Sequence, residues 1–229
     1  MNWSLMWDVI PRLAAGVPLT IQLVLFAEVL GILVAAGTAL MRLSGNPVLD
    51  WTARGYVFVF RGTPLLVQIF LIYYGLGQFG AVRESILWPV LREPYWCAIL
   101  AMMLNTGAYG SEILRGAIQS VPPGQVEAAR ACGMGRFLTF RRIVVPIAVR
   151  QALPAYGNEV ILMIKASSLA STITLLEVTG IARRVIAQTF AVFEVFLVAG
   201  ALYLVLNFTL AWAVRAAERR MSPDLRARA

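Results

Sequence analysis

The chain has 229 residues, of which 59% are hydrophobic and 14% are charged, against about 25% charged in an ordinary soluble domain. A soluble protein of this size could not bury so much apolar side chain, so the composition excludes one and predicts a membrane protein. The net charge of +8 comes almost entirely from arginine. These arginines lie between apolar segments, which is typical of topology signals and argues against a nucleic-acid-binding protein.

Five apolar segments predict an all-α polytopic membrane protein, with a single transmembrane domain over residues 1–229. The predicted spans are residues 17–41, 51–79, 95–118, 151–171 and 192–214. Residues 1–12 lack the basic start and the cleavage site of a signal peptide, so we expect the first span to act as the insertion signal.

The distribution of arginine predicts the orientation of the spans, because positive charge favours the cytoplasmic side. With the N-terminus outside, the inner segments hold Arg42, Arg54, Arg115, Arg130, Arg136, Arg141, Arg142, Arg215, Arg219, Arg220, Arg226 and Arg228. The outer segments hold only Arg12, Arg83, Arg92, Arg183 and Arg184. We therefore expect a periplasmic N-terminus, a cytoplasmic C-terminus and a cytoplasmic loop at residues 122–146.

The second span contains a helix-breaking signal at Pro64, which removes one main-chain hydrogen bond from the helix. Arg61, Thr63 and Gln68 form the polar part of this span. Arg61 could receive the carboxylate of a substrate, or it could lie at the level of the inner headgroups. The sequence leaves both interpretations open.

In the third span, Asn105, Tyr109 and Glu112 recur at i, i+4 and i+7 and so share one helix face. A carboxylate at mid-span costs about 2.5–3.5 kcal/mol on insertion scales, so Glu112 is expected to face protein or water. The stripe fits a transport pathway. It equally fits hydrogen bonding between helices, or a residue near the inner interface.

The loop at residues 122–146 is the most charged part of the chain and predicts a short helix at residues 125–132. Val126, Ala129 and Cys132 share one small apolar face of this helix, which would suit a groove on a partner. Gly133 fits the C-terminal cap of the helix, where φ is commonly positive. The alternative is a solvated loop helix without a partner.

The fourth span carries Asn158 and Glu159 after Pro154 and Gly157, two residues expected to loosen the start of the helix. Glu159 lies in an apolar run and needs a cation or water. The ammonium or guanidinium of a substrate would provide a charge-assisted hydrogen bond. The alternative is an ion pair with Arg61.

Several catalytic signatures are absent from the sequence. Lys165 is the only lysine and follows Ile164, so no phosphate-binding GxxxxGK[ST] loop is possible. The chain has no histidine and only two cysteines, which argues against a catalytic triad and a zinc site. We expect a chain that is not an enzyme and that needs any ATP to be hydrolysed on another subunit.

The loop spacing resembles the EAA loop of bacterial ABC-importer permeases, the element that docks on the ATPase subunit. The matching residues are Glu127, Ala128, Ala129, Gly133, Ile143 and Pro146, and Val145 stands where leucine is frequent. The resemblance extends to the stretches GVPLT at 16–20, FRGTPL at 60–65, SVPPGQVEAA at 120–129, GNE at 157–159 and AERR at 217–220. Nearly the whole chain is similar to the membrane subunits of polar-amino-acid and opine importers, above all the histidine/octopine type.

The resemblance implies a fold and a set of partners. It implies five spans per subunit in the bacterial inner membrane, a second permease subunit that is identical or different, two ATPase subunits that hold ATP and Mg, and a periplasmic amino-acid-binding protein. Glutamine-type permeases commonly carry an amide where this chain has Glu159, so the substrate is expected to be a cationic amino acid or an opine. The expected pathway residues are Arg61, Thr63, Gln68, Asn105, Tyr109, Glu112, Asn158 and Glu159. The rival interpretations are a secondary carrier or channel without an ATPase, and a scaffold that transports nothing.

Overall fold

The computed structural model describes residues 2–221, and over these residues the chain forms twelve α-helices and no strand. The helices are α1 (Trp3–Ala14), α2 (Val17–Leu43), α3 (Pro47–Gly62), α4 (Leu65–Phe70), α5 (Gly80–Arg83), α6 (Trp88–Leu91), α7 (Pro94–Gln119), α8 (Pro123–Ala131), α9 (Arg136–Thr139), α10 (Val145–Ala166), α11 (Val178–Thr189) and α12 (Val192–Met221). Short π-helical turns follow α4 and α9, and a 3₁₀ segment, Ser167–Ile173, follows α10. The predicted cytoplasmic C-terminus, with Arg226 and Arg228, lies outside the described residues.

The all-helical membrane fold predicted from the sequence is confirmed. By length and composition, Trp3–Leu43 and Val192–Met221 could each cross a membrane, and two bent helix pairs raise the possible number of spans to four. The predicted third span corresponds to α7, which has 26 residues and so spans about 39 Å. Polar residues such as Asn105 and Glu112 lower the hydropathy of α7, and α7 is not one of these four candidate spans. The count of five spans stays a prediction.

α7 is central in the bundle because small residues let it approach α2 closely. A Cβ atom added to Gly31 of α2 would lie 2.6 Å from the side chain of Thr106, and one added to Gly107 would lie 2.7 Å from Val34. Such contacts are typical of packed membrane helices, where small residues bring backbones together. α3, α4 and α10 pack around the remaining faces of α7.

The break predicted at Pro64 is present. α3 ends at Gly62, α4 begins at Leu65, and the two helical segments are bent by 104°. Thr63 and Pro64 have extended backbone angles at this point. The second predicted span is therefore a broken helix, and its bend opens a space beside α7.

The fourth predicted span differs from the expectation. α10 begins at Val145 and runs through Pro154 without interruption, so the prediction that Pro154 and Gly157 loosen the start of the helix is wrong. Pro146 lies in the first turn of α10, directly after the π-helical turn Phe140–Val144. Gly157 serves packing, because a Cβ atom there would collide with Val214 of α12.

Among the helices of twelve residues or more, α1 and α11 were missing from the sequence interpretation. α11 buries Val178, Ala182 and Val185 against α1 and α12, and these residues recur at i, i+4 and i+7. This spacing is visible in the sequence and could have revealed the helix. Together α1, α11 and α12 form a second apolar cluster beside the main core.

Candidate functional site

The bend between α3 and α4 opens a cavity of about 490 Å³ that α7 and α10 close from the other sides. The cavity is lined by Arg61, Gly62, Thr63, Pro64, Leu65, Asn105, Tyr109, Glu159, Leu162, Met163 and Ala166. Five of the eight predicted pathway residues meet here, from three helices that lie far apart in the sequence. A mostly apolar cavity with a few convergent polar groups is the usual form of a small-molecule site.

Arg61 brings a positive charge to the cavity. Its guanidinium carbon lies 5.0 Å from the ring centroid of Tyr109, at the distance of a cation–π contact. Among the described residues, Arg61 forms no ion pair with a carboxylate. The alternative of an Arg61–Glu159 pair is therefore not formed in this structure.

Glu159 brings a negative charge to the same cavity from α10. The residue is 8% exposed, and no side chain or main-chain group among the described residues donates a hydrogen bond to its carboxylate. The carboxylate faces the cavity, where a cation or water can pair with it. The cavity thus holds one positive and one negative side chain that are not paired with each other.

The apolar wall of the cavity was missed in the sequence interpretation. Leu162, Met163 and Ala166 line it from α10, together with Glu159. They follow Glu159 at i+3, i+4 and i+7, so helical spacing alone places all four on one face. This wall suits the aliphatic part of a ligand whose charged ends contact Arg61 and Glu159.

Two predicted pathway residues do not line the cavity. Asn158 is exposed, because neighbouring residues on a helix point about 100° apart and Glu159 occupies the cavity face. Gln68 is 5% exposed and lies behind the break, where its amide nitrogen donates to the Phe60 carbonyl at 2.9 Å. Their assignment to the pathway is corrected accordingly.

Glu112 also lies outside the cavity, in what we call the charge cluster, which comprises Arg42, Asp50, Arg54, Glu112 and Arg115. Glu112 pairs with Arg42 of α2 and, at 2.7 Å, with Arg115 one turn along α7. Asp50 of α3 lies 3.3 Å from Arg42 and 2.8 Å from Arg54. The cluster joins α2, α3 and α7, so the interhelical interpretation of Glu112 fits the structure and the pathway interpretation does not.

Another buried carboxylate, Glu177, was not singled out in the sequence. It is fully buried and caps α11, where it accepts from the main-chain N–H groups of Thr179 at 2.9 Å and Gly180 at 2.8 Å. The hydroxyl of Tyr203 donates to it at 2.6 Å. All these donors come from the protein itself, so Glu177 has a structural role.

The loop that resembles the EAA element contains α8, and Gly133 ends this helix as predicted. Gly133 has φ of +82°, its N–H donates to Arg130, and the N–H of Met134 donates to Ala129 at 3.0 Å. These two bonds form a Schellman motif, which requires the left-handed conformation that glycine adopts most readily. Ile143 lies in the π-helical turn after α9, and Pro146 lies in the first turn of α10.

The apolar face of α8 does not point outward. Ala129 is 7% exposed, and Val126 packs against the cluster of Ala117, Val121, Ala148 and Ala152 in the same chain. The prediction that the Val126–Ala129–Cys132 face fills a groove on a partner is therefore wrong for its first two members. Glu127 and Ala128 are exposed and form the outer face of the helix.

An all-helical membrane bundle with a cavity that holds two charged side chains beside a broken helix, and with a structured loop helix at one end, is the architecture of a membrane permease subunit. Residues 27–223 match the family described as "Binding-protein-dependent transport system inner membrane component". The chain belongs to this family.

Individual relatives point to the same group. The chain is 55% identical to the octopine transport system permease protein OccM of Rhizobium radiobacter, over 97% of this chain and 91% of that protein. It is 47% identical to the arginine ABC transporter permease protein ArtM of Escherichia coli K12, over 76% and 78%. Its fold matches a crystal structure of an amino acid ABC transporter with histidines at a TM-score of 0.85 and 35% identity, over 96% of this chain and 99% of that one.

Proposed function

We propose that this permease subunit forms the membrane pathway of an ATP-driven importer for cationic amino acids or opines. The observation that carries the proposal is the cavity in which Arg61 and Glu159 have no ionic partner within residues 2–221. The relatives named for octopine and arginine support the same substrate class.

The two charges suit the two ends of such a substrate. Arg61 offers a planar guanidinium that can bind a carboxylate through two parallel hydrogen bonds. Glu159 offers a carboxylate for an ammonium or a guanidinium. Leu162 and Met163 lie beside Glu159 and can contact the methylene groups between the charged ends.

ATP hydrolysis takes place on separate subunits in this proposal. The loop at residues 122–146 faces the cytoplasm and docks on an ATPase through the exposed face of α8, with Glu127 and Ala128. The N-terminus is periplasmic, the chain pairs with a second permease subunit, and a periplasmic binding protein delivers the substrate. Membership of a binding-protein-dependent transport family supports this arrangement.

The test is uptake into proteoliposomes that contain the permease complex with its ATPase, with the binding protein on the outside. We expect uptake of labelled arginine or octopine that requires ATP inside the vesicles, with much weaker uptake of glutamine. ADP in place of ATP is the matched control. Uptake driven by an ion gradient without ATP would instead support a secondary carrier.

A further inference from the structure

Two buried amide side chains, Gln68 and Asn105, lie at the break between α3 and α4. The Gln68 amide nitrogen donates to the Phe60 carbonyl at 2.9 Å, to the Thr63 carbonyl at 3.1 Å and to the Thr63 hydroxyl at 2.9 Å. Asn105 donates from α7 to the Gln68 amide oxygen at 3.2 Å and to the Phe60 carbonyl at 3.4 Å. Both side chains are more than nine-tenths buried.

These bonds replace a donor that the main chain lacks. In an uninterrupted helix the Phe60 carbonyl would accept from the N–H of the residue four positions on, and that residue is Pro64, which has none. Inside a membrane no bulk water is present to satisfy such a carbonyl, so a broken helix needs other donors. Gln68 and Asn105 supply them, and the Thr63 hydroxyl donates in the same way to the Val59 carbonyl at 2.8 Å.

The same contacts lie directly beside Arg61. Arg61 follows Phe60 directly, and its guanidinium stacks on Tyr109, which lies one turn after Asn105 on α7. α7 therefore contacts the break at two points, through the Asn105 amide and through the Tyr109 ring. Loss of the first contact would remove one of the two contacts that lie next to Arg61.

We propose that Gln68, together with Asn105, is a positioning residue that keeps Arg61 in the geometry required for the carboxylate of the substrate. The proposal rests on the function proposed above, in which Arg61 contacts the substrate. Gln68 itself does not line the cavity, so it acts through Arg61 and the break.

The test measures equilibrium binding of labelled arginine to the reconstituted permease complex, without the binding protein, in a double-mutant cycle. The four proteins are the wild type, Gln68→Met, Arg61→Ala and the double variant. Gln68→Met keeps the length of the side chain and removes all its hydrogen bonds. We expect Gln68→Met to weaken arginine binding by about tenfold when Arg61 is present, because the Arg61 guanidinium is no longer held in position. When Arg61 is absent, Gln68→Met should cause no further loss of affinity.

A general loss of structure would instead weaken binding by the same factor with and without Arg61, and that result would overturn the proposal. Unchanged binding in Gln68→Met would also overturn it. If Arg61→Ala alone leaves binding intact, the proposed role of Arg61 in the cavity fails, and this result is distinct from a failure of the positioning role of Gln68.

If Gln68→Met does not assemble, Thr63→Val is the second variant, because it removes one acceptor of the same amide and keeps the shape of the side chain. It should weaken binding less, again only with Arg61 present, and no weakening would refute the positioning role.

Discussion

The cavity and the charge cluster both contain buried or half-buried charges, yet their surroundings are opposite. In the charge cluster, each carboxylate contacts two arginines, and the ion pairs join α2, α3 and α7. In the cavity, Glu159 and Arg61 face the same space, and neither forms an ion pair with any residue that the structure describes. Paired charges hold helices together, whereas unpaired charges in a cavity remain available to a ligand.

The largest expected effect comes from removing the unpaired carboxylate. Glu159→Ala should lower the uptake of arginine by about ten- to a hundredfold, because one hydrogen bond to a charged group is worth roughly 1.5–3 kcal/mol. Asn158→Ala is the matched control, since this neighbour is exposed and does not line the cavity. Uptake is measured in proteoliposomes. Equal losses of arginine uptake in Glu159→Ala and Asn158→Ala would contradict a specific role for the cavity residue Glu159.

A substitution in the loop should separate transport from substrate binding. Gly133→Asp places a side chain in the left-handed conformation and adds a negative charge at the helix C-terminus, where the helix dipole is already negative. We expect ATP hydrolysis without matching uptake, while the cavity still binds arginine. Gly133→Asn tolerates the same φ and should keep most of the uptake. Normal uptake by Gly133→Asp would argue against a coupling role for this loop.

The charge cluster should affect stability and not binding. Arg42→Met removes the residue that bridges Glu112 and Asp50, and we expect a loss of about 1.5–3 kcal/mol in the free energy of unfolding. Thermal unfolding of the purified protein measures this loss. Because the partners are shared, Arg42→Met and Glu112→Gln should be non-additive. A large loss of arginine affinity in Arg42→Met would contradict the structural role.

The smallest effect on stability and transport is expected from labelling exposed cysteines, because this experiment removes none of the contacts described above. Cys132 is exposed in the loop and Cys97 is buried, so a membrane-impermeant thiol reagent should react with Cys132 only in inside-out vesicles. Glu84→Cys in a Cys132→Ser background should react only from the outside. Reversed access at both positions would show that the arginine count gave the wrong orientation.

Much of this arrangement was predictable from residue types and spacing. Pro64 predicted the break in the second span, and the glycine at 133 predicted the end of α8. The sequence could not distinguish Glu112 from Glu159, because both are carboxylates within apolar segments and only the tertiary fold decides which one meets arginines. The burial of Ala129 and the proposed positioning role of Gln68 likewise depend on contacts with residues distant in the sequence.

The central claim is tested most directly by measuring arginine binding to the reconstituted complex with Glu159→Gln and Glu112→Gln side by side. Both substitutions remove one charge and keep the shape of the side chain. The account predicts that Glu159→Gln weakens binding by about ten- to a hundredfold, whereas Glu112→Gln leaves the affinity unchanged and lowers only stability. Wild-type affinity in Glu159→Gln, or an equal loss in both variants, would contradict it.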